Sequence, residues 1–476
     1  MKWRITSRPA RPVRTRIAGW RECEILTVDD WEEDDTKGAK SCSVDSKHPL
    51  WDLLSLAILP FGGEVTLMRS PRFLIGSNVR LPILLMTVLI ITTRAPAQEK
   101  ILHNFGNGRD GSSPGSTLVF DAAGNLYGTT ASGGEYGYGT VFELTPKAGV
   151  GWSEKILYNF NKGGDGEDPG ASIVFDSAGN LYGTTFAGGL YGYGTVFELT
   201  PEATGGWSQR ILYNFNNNGT DGYWPFYGPI IDVVGNLYGT TYQGGLNDGG
   251  TVFELSPAAG GVWTETILYS FNPNDGDGFY PAAGLVFDLV GSLYGTTSEG
   301  GTSGYGGTVF ELSPAAGGKW TEKVLRDCDS GDGWDPKAGV VFDSAGNLYG
   351  TTQYLGSADG GGTVFRLTPN EDGTWTNRVL QNFNSIGSDG FYPLGLVLDS
   401  AGNLYGTTAD GGSYSAGVAF RMSTNIRGSE KILLNFGGKA GYGPLAGPIL
   451  DSAGNLYGTA YAGGAYGGGV VYEITP

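Results

Sequence analysis

Seven residues, Gly124-Asn125-Leu126-Tyr127-Gly128-Thr129-Thr130, return six more times along this chain. The copies begin at Gly179, Gly235, Gly291, Gly346, Gly402 and Gly454, and they differ only at Ser292 and Ala460. Their spacings are 55, 56, 56, 55, 56 and 52 residues. A unit of this size cannot bury a core by itself, so the copies must stack. That overrides the prior of about three domains that length alone would give. Glycine is abundant, at 83 residues, but has no triplet period, which excludes collagen and points to tight turns between short strands.

Each unit reads as four strands. Leu118-Val119-Phe120-Asp121 is an apolar run ended by Asp, and Ala122-Ala123-Gly124-Asn125 supplies hairpin chemistry, with Asp capping and Gly or Asn accepting positive φ. Leu126 to Thr130 returns. A Gly-rich loop leads to Thr140-Val141-Phe142-Glu143-Leu144, stopped by Pro146, and Glu154 to Phe160 forms the fourth strand. Four hairpin-linked strands make one propeller blade. A lone fourth strand, Glu99 to Phe105, precedes the first unit, and the last unit stops after its third strand, Val470 to Thr475. Joined, they make a seventh blade. The chain therefore predicts an all-β, seven-bladed β-propeller with four antiparallel strands per blade, closed by its N-terminal strand, over residues 98–476. Closure removes the edges that would template aggregation.

The seven hairpin acids (Asp121, Asp176, Asp232, Asp288, Asp343, Asp399, Asp451) are expected to be turn caps. The series Trp152, Trp207, Trp263, Trp320 and Trp375 is expected to be packing, and Cys328, where other units carry Phe, a small buried hydrophobe.

Residues 68–97 read as a signal peptide: Arg69, Arg72 and Arg80, then the apolar run Leu81 to Ile91, then Ala95-Pro96-Ala97 as the cleavage site. The run is too short to span a bilayer, so no membrane span is expected in the mature form. Residues 1–67 read as an unstructured extension or a start assigned too early. Residues 98–476 carry 16 basic and 37 acidic side chains, and such a surface repels phosphate backbones, so nucleic acid is set aside as a partner. A secreted or periplasmic, monomeric protein is expected.

The unit G-N-L-Y-G-T-T followed by G-T-V-F-x-L-[TS]-P, in all seven copies, resembles the repeat of the choice-of-anchor tandem repeat GloVer-containing bacterial proteins. The resemblance implies an exported protein and no assigned activity. Members carry a C-terminal anchor, and the end at Pro476 leads us to expect none here. The Asp-x-x-Gly-Asn-Leu-Tyr hairpin looks more loosely like that of NHL-type propellers, which transfers no site.

Function is expected on the face that carries the second-to-third loops and the crossovers between blades, because there the units differ. Each crossover runs Asp-Gly, variable residues, then Pro; between them stand Tyr223-Trp224, Phe279-Tyr280, Trp334 and Phe391-Tyr392, the candidate ligand-binding residues. The neighbouring loops add Tyr136, Tyr138, Tyr191, Tyr193, Tyr305, Tyr414 and Tyr466. Aromatics with nearby Asp and Asn suit stacking on sugar rings, so a glycan or extracellular protein is the expected ligand. Rings folded back onto their neighbours are the alternative.

No cofactor is expected. The loop Asp327 to Asp335 is acidic and leaves calcium open as an alternative, although Gly331 and Ala338 stand where calcium ligands would be needed. Zinc is set aside because the histidines are only His48 and His103. No catalytic residue is assigned. The acids that break the repeat (Glu135, Asp168, Glu299, Asp335, Asp410) leave open a carbohydrate-active hydrolase or lyase, and a purely structural module is the third reading.

Overall fold

A computed structural model describes residues 97–476, apart from 150, 162, 275, 303, 357–359, 387 and 427. The expectations for residues 1–67 and, apart from Ala97, for 68–97 lie outside the described residues. The described chain falls in the compact unit Met86–Pro476. Among the described residues no helix is long and apolar enough to cross a membrane.

Blade 1 consists of Val119–Phe120, Leu126–Thr130, Thr140–Lys147 and Gly151–Asn159, paired antiparallel in that order from the central cavity outward. The pattern repeats around a seven-bladed ring. In blade 7, Ile449–Leu450, Leu456–Ala460 and Val470–Thr475 are completed by Gln98–Asn104, with Gln98 opposite Thr475 and Asn104 opposite Val470. The closure expected from the strand count is present. Blades 4 and 6 depart slightly: Gly278–Pro281 adds a fifth strand, and Phe391–Leu398 runs crossover and inner strand together.

Each letter of the repeated stretch has a separate task. Leu126 is fully buried, and a cluster of Tyr127, Phe160, Leu181 and Phe197 fills the gap between blades 1 and 2. Burying such a side chain contributes about 1.5–3 kcal/mol. Gly128 is required by close approach, since a Cβ there would lie 2.7 Å from Cζ of Phe142. Thr130 Oγ1 meets Thr140 Oγ1 at 2.8 Å within the blade.

Thr129 reaches outward instead, donating to the carbonyl of Ala171 in blade 2 at 2.8 Å. Its equivalents Thr184, Thr240, Thr296, Thr351 and Thr407 each donate to the next blade, and Thr459 donates to Ser116 of blade 1 at 3.1 Å. Seven buried or half-buried bonds thus run head to tail around the ring. The tryptophans pack between blades as well: Trp152 lies 6.4 Å from the Tyr457 ring, and Trp263 lies 6.0 Å from Tyr182.

The hairpin acids cap their turns. Asp121 accepts from the backbone N–H of Ala123 and Asn125, the Asn125 side chain and the Tyr127 hydroxyl, at 2.7–3.2 Å. Cys328 is fully buried, and burial pushes its thiol up to about 12.

Candidate functional site at the crossover rim

The crossovers share one backbone path and carry different side chains. At the residue just before the crossover proline, φ lies between 56° and 60° in Ser113, Asp168, Trp224, Tyr280, Asp335 and Tyr392, and Gly443 completes the ring at 60°. Left-handed backbone costs a non-glycine residue about 1–2 kcal/mol, so the surroundings must impose it. Two backbone hydrogen bonds do so. Trp224 donates its N–H to Tyr193 O and accepts from Tyr242 N, each at 3.0 Å. Asp168 and Asp335 are held by the same pair of bonds.

This twist separates neighbours in sequence. The residue before each left-handed position bridges to the second-to-third loop of its own blade, as Trp334 does to Tyr354 and Tyr223 to Gln243. Tyr223 is buried, donates to Asp248 Oδ1 at 2.9 Å, and stacks against Gly244. Phe279 and Phe391 lie half-buried against Gly300 and Gly411 in the same way. Trp334 is half-buried, with Nε1 unpaired.

The left-handed residues stack with the first residue after the Gly-Thr-Thr strand. Trp224 lies parallel to Phe186 at 5.7 Å and 28°, and Tyr280 parallel to Tyr242 at 4.9 Å and 24°. Phe226 touches both Phe186 and Tyr242, at 4.6 and 5.0 Å. Five rings thus form one connected aromatic arc over blades 2 to 4, which sequence reading missed in Phe186, Phe226 and Tyr242. Tyr392 meets Tyr354 separately, edge to face, at 4.9 Å and 63°. Of the loop tyrosines, Tyr136, Tyr191, Tyr305, Tyr414 and Tyr466 are exposed, whereas Tyr138 and Tyr193 pack against inter-blade clusters.

The arc borders a central cavity of about 600 Å³, lined by segments of all seven blades and including Asp168, Phe186, Phe226, Tyr227 and Tyr461. Tyr227 reaches from blade 3 to donate to Lys337 O in blade 5 at 2.8 Å. Asp335 pairs with Lys337 at 2.8 Å. Burial pushes the carboxyl of Asp168 up, helped by the charge of Glu167, and burial raises Asp335 despite the partial offset from Lys337. The surroundings can therefore stack a ring, accept hydrogen bonds, and offer two acids biased toward protonation.

Elsewhere, two acids of the blade 5 loop are engaged by neighbours in or beside the loop. Asp329 Oδ1 caps Gly331, and Asp332 pairs with Arg326 at 3.0 Å. The group that could hold a metal, among the described residues, is His103, Asp110 and Glu154, whose ligand atoms all lie within 4.8 Å of one another. The sequence signal for it was the one His standing where Tyr158, Tyr213 and Tyr269 stand in other blades.

Solved structures with related architecture include a luciferin-regenerating enzyme (13% identity, TM-score 0.39, covering 64% of this chain and 91% of that one). A Dyadobacter fermentans protein of unknown function is 12% identical with a TM-score of 0.41, covering 80% and 98%. PorZ, a surface component of the Porphyromonas gingivalis type-IX secretion system, is 15% identical with a TM-score of 0.44, covering 75% of this chain but 46% of its own length. At these values none bears on ligand or chemistry. Among curated proteins no match is found. The model of the Gloeobacter/Verrucomicrobia repeat matches residues 150–358 and 339–476, more than half of the chain. With the seven copies of the repeat standing as the seven blades of one ring, the chain belongs to the Gloeobacter/Verrucomicrobia repeat family.

Proposed function

We propose that this protein is an exported, non-enzymatic, monomeric propeller that binds a glycan at the crossover rim, with one sugar ring stacked on the arc of Phe186, Trp224, Phe226, Tyr242 and Tyr280. One observation carries the reading: a constant, conformationally costly backbone presents five different residue types over seven blades, and two of them, Trp224 and Tyr280, join an arc whose members Phe186 and Phe226 line a central cavity. Structural packing alone would repeat the same residue seven times. A cavity of about 600 Å³ falls within the range of small-ligand sites. Asp168, which lines that cavity, supplies a polar group for a sugar hydroxyl. Export rests on the signal-peptide reading of residues 68–97.

Screening on a glycan array, followed by calorimetric titration of Trp224→Ala and Tyr280→Ala, tests this. Each variant should lose about tenfold or more in affinity, the scale of one aromatic contact. Binding equal to that of the parent in both variants removes the reading. The raised acids Asp168 and Asp335 favour a hydrolase or lyase as the second reading, which requires polysaccharide turnover that disappears in Asp168→Asn.

A further inference from the structure

At the junctions between blades, the crossover Asp faces two side chains: one from the outer strand before it and one from the outer strand of the next blade. Where the first is tyrosine, it bridges by ordinary hydrogen bonds. Tyr158 donates to Asp165 at 2.7 Å, Tyr269 to Asp277 at 2.8 Å, and Tyr213 to both Asp221 and Glu265, at 3.1 and 2.7 Å. Between blades 7 and 1 the same place is held by His103, facing Asp110 and Glu154.

The histidine does not copy the tyrosine bond. Its Nε2 stands 3.4 Å from Asp110 Oδ2 and 3.6 Å from Glu154 Oε1, beyond the usual N–H···O range. Both Nε2 and Glu154 Oε1 are buried and make no hydrogen bond. These long ion-pair contacts leave both buried atoms short of a full hydrogen bond, a deficit that costs about 1–3 kcal/mol for a buried polar atom. Ligand atoms bound tetrahedrally to one ion at about 2.1 Å would themselves be about 3.4 Å apart. The two nitrogen–oxygen separations match that spacing, and the ligand atoms of all three residues lie within 4.8 Å of one another.

We infer that the seam between blades 7 and 1 is a divalent transition-metal site, with His103 Nε2 and one carboxylate oxygen each from Asp110 and Glu154 as its ligands. An imidazole nitrogen with two carboxylates suits zinc and its first-row neighbours better than calcium, which prefers six to eight oxygens. Three protein ligands leave a fourth position for water or another donor. The ligands come from three segments: the N-terminal strand that completes blade 7, the first crossover, and the outer strand of blade 1. A bound ion would clasp the point where the ring closes. The site is independent of the aromatic rim.

The metal-stripped full-length chain, titrated calorimetrically with Zn²⁺ and melted with and without it, tests the inference. His103→Tyr and Glu154→Gln are the comparison variants, because Tyr158 and Gln209 already occupy these positions in other blades and the fold accepts them. The parent should bind one more zinc equivalent than either variant, or bind it at least about tenfold more tightly. Zinc should raise the melting temperature of the parent more than that of the variants. Cys23, Cys42 and His48 are common to all three proteins and cancel from the difference. Equal stoichiometry, affinity and thermal shift in all three would overturn the site, and a calcium shift as large as the zinc shift would overturn its assignment to a transition ion.

Discussion

Two rings of carboxylates repeat around this disc, one at the inner hairpins and one at the crossovers, in opposite surroundings. At the hairpins, burial pushes Asp121, Asp176, Asp343, Asp399 and Asp451 up, but hydrogen bonds from Asn and backbone N–H outweigh it and hold these carboxyls below their usual range. At the crossovers, acids face acids. Burial, reinforced by the neighbouring Asp, raises Glu265 to about 8 and Glu430 to about 7. One residue class, repeated with one period, therefore serves as an ionised cap on one face and as a proton-holding pair on the other. Repetition identifies a position; the donors around it decide its state.

The largest expected effect is loss of a cap. Asp343→Ala strands two backbone N–H groups, the Asn347 amide and the Tyr349 hydroxyl, and should cost about 3 kcal/mol in denaturant titration at neutral pH. A loss under about 1 kcal/mol would mean the turn holds without its acid. The ring of lowered carboxyls also predicts weakening as pH falls through the ordinary Asp range, because the unfolded chain then takes up protons the folded one refuses.

The second ring predicts the reverse on the alkaline side. Folded Glu265 keeps its proton up to about 8, whereas the unfolded chain gives it up near the ordinary value of 4.5. Between those limits the folded state holds the extra proton, so raising pH destabilises it, by about 4 kcal/mol between pH 5 and 9. Glu265→Gln should flatten that slope. A parental stability that rises over this interval would break the contrast between the rings.

The smallest effect is expected beside the caps. Val233 and Leu289 occupy hairpin tips where other blades carry Ala or Ser, and both are fully exposed. Val233→Ser and Leu289→Ser should each change stability by less than about 0.5 kcal/mol. A larger loss would show that the tip residues, and not the acid alone, hold the turn.

The blade count, strand order and ring closure were legible in the sequence because each depends on local pattern: apolar runs and Asp-capped hairpins. The expected stop at Pro146 was misplaced, since the third strand runs through it to Lys147. The inter-blade bond of Thr129 was not, since a repeat cannot say whether a side chain serves its own unit or the next. The rim was half legible. Tyr223-Trp224 reads as an aromatic pair, but nothing in it announces that Trp224 adopts a conformation usually reserved for glycine and so parts from Tyr223. Phe186 and Tyr242 were hidden for a related reason: each follows a constant strand and gains meaning only from a crossover some 40 residues on. His103 broke the tyrosine series visibly, yet counting histidines concealed it, because its two partners are carboxylates.

The pairing of Gln98–Asn104 with Val470–Thr475 bears on how the chain is made. Lys100 meets Glu473 across 373 residues of sequence. Joining such distant segments in an open chain would cost about 5 kcal/mol of loop entropy. Blades 1 to 6, each built from contiguous chain, can assemble in order as the polypeptide emerges, and their stacking brings the first strand round to meet the last. The molecule is then a clasp that fastens late, and Gln98–Asn104 finds its neighbour only after Val470–Thr475 has been made.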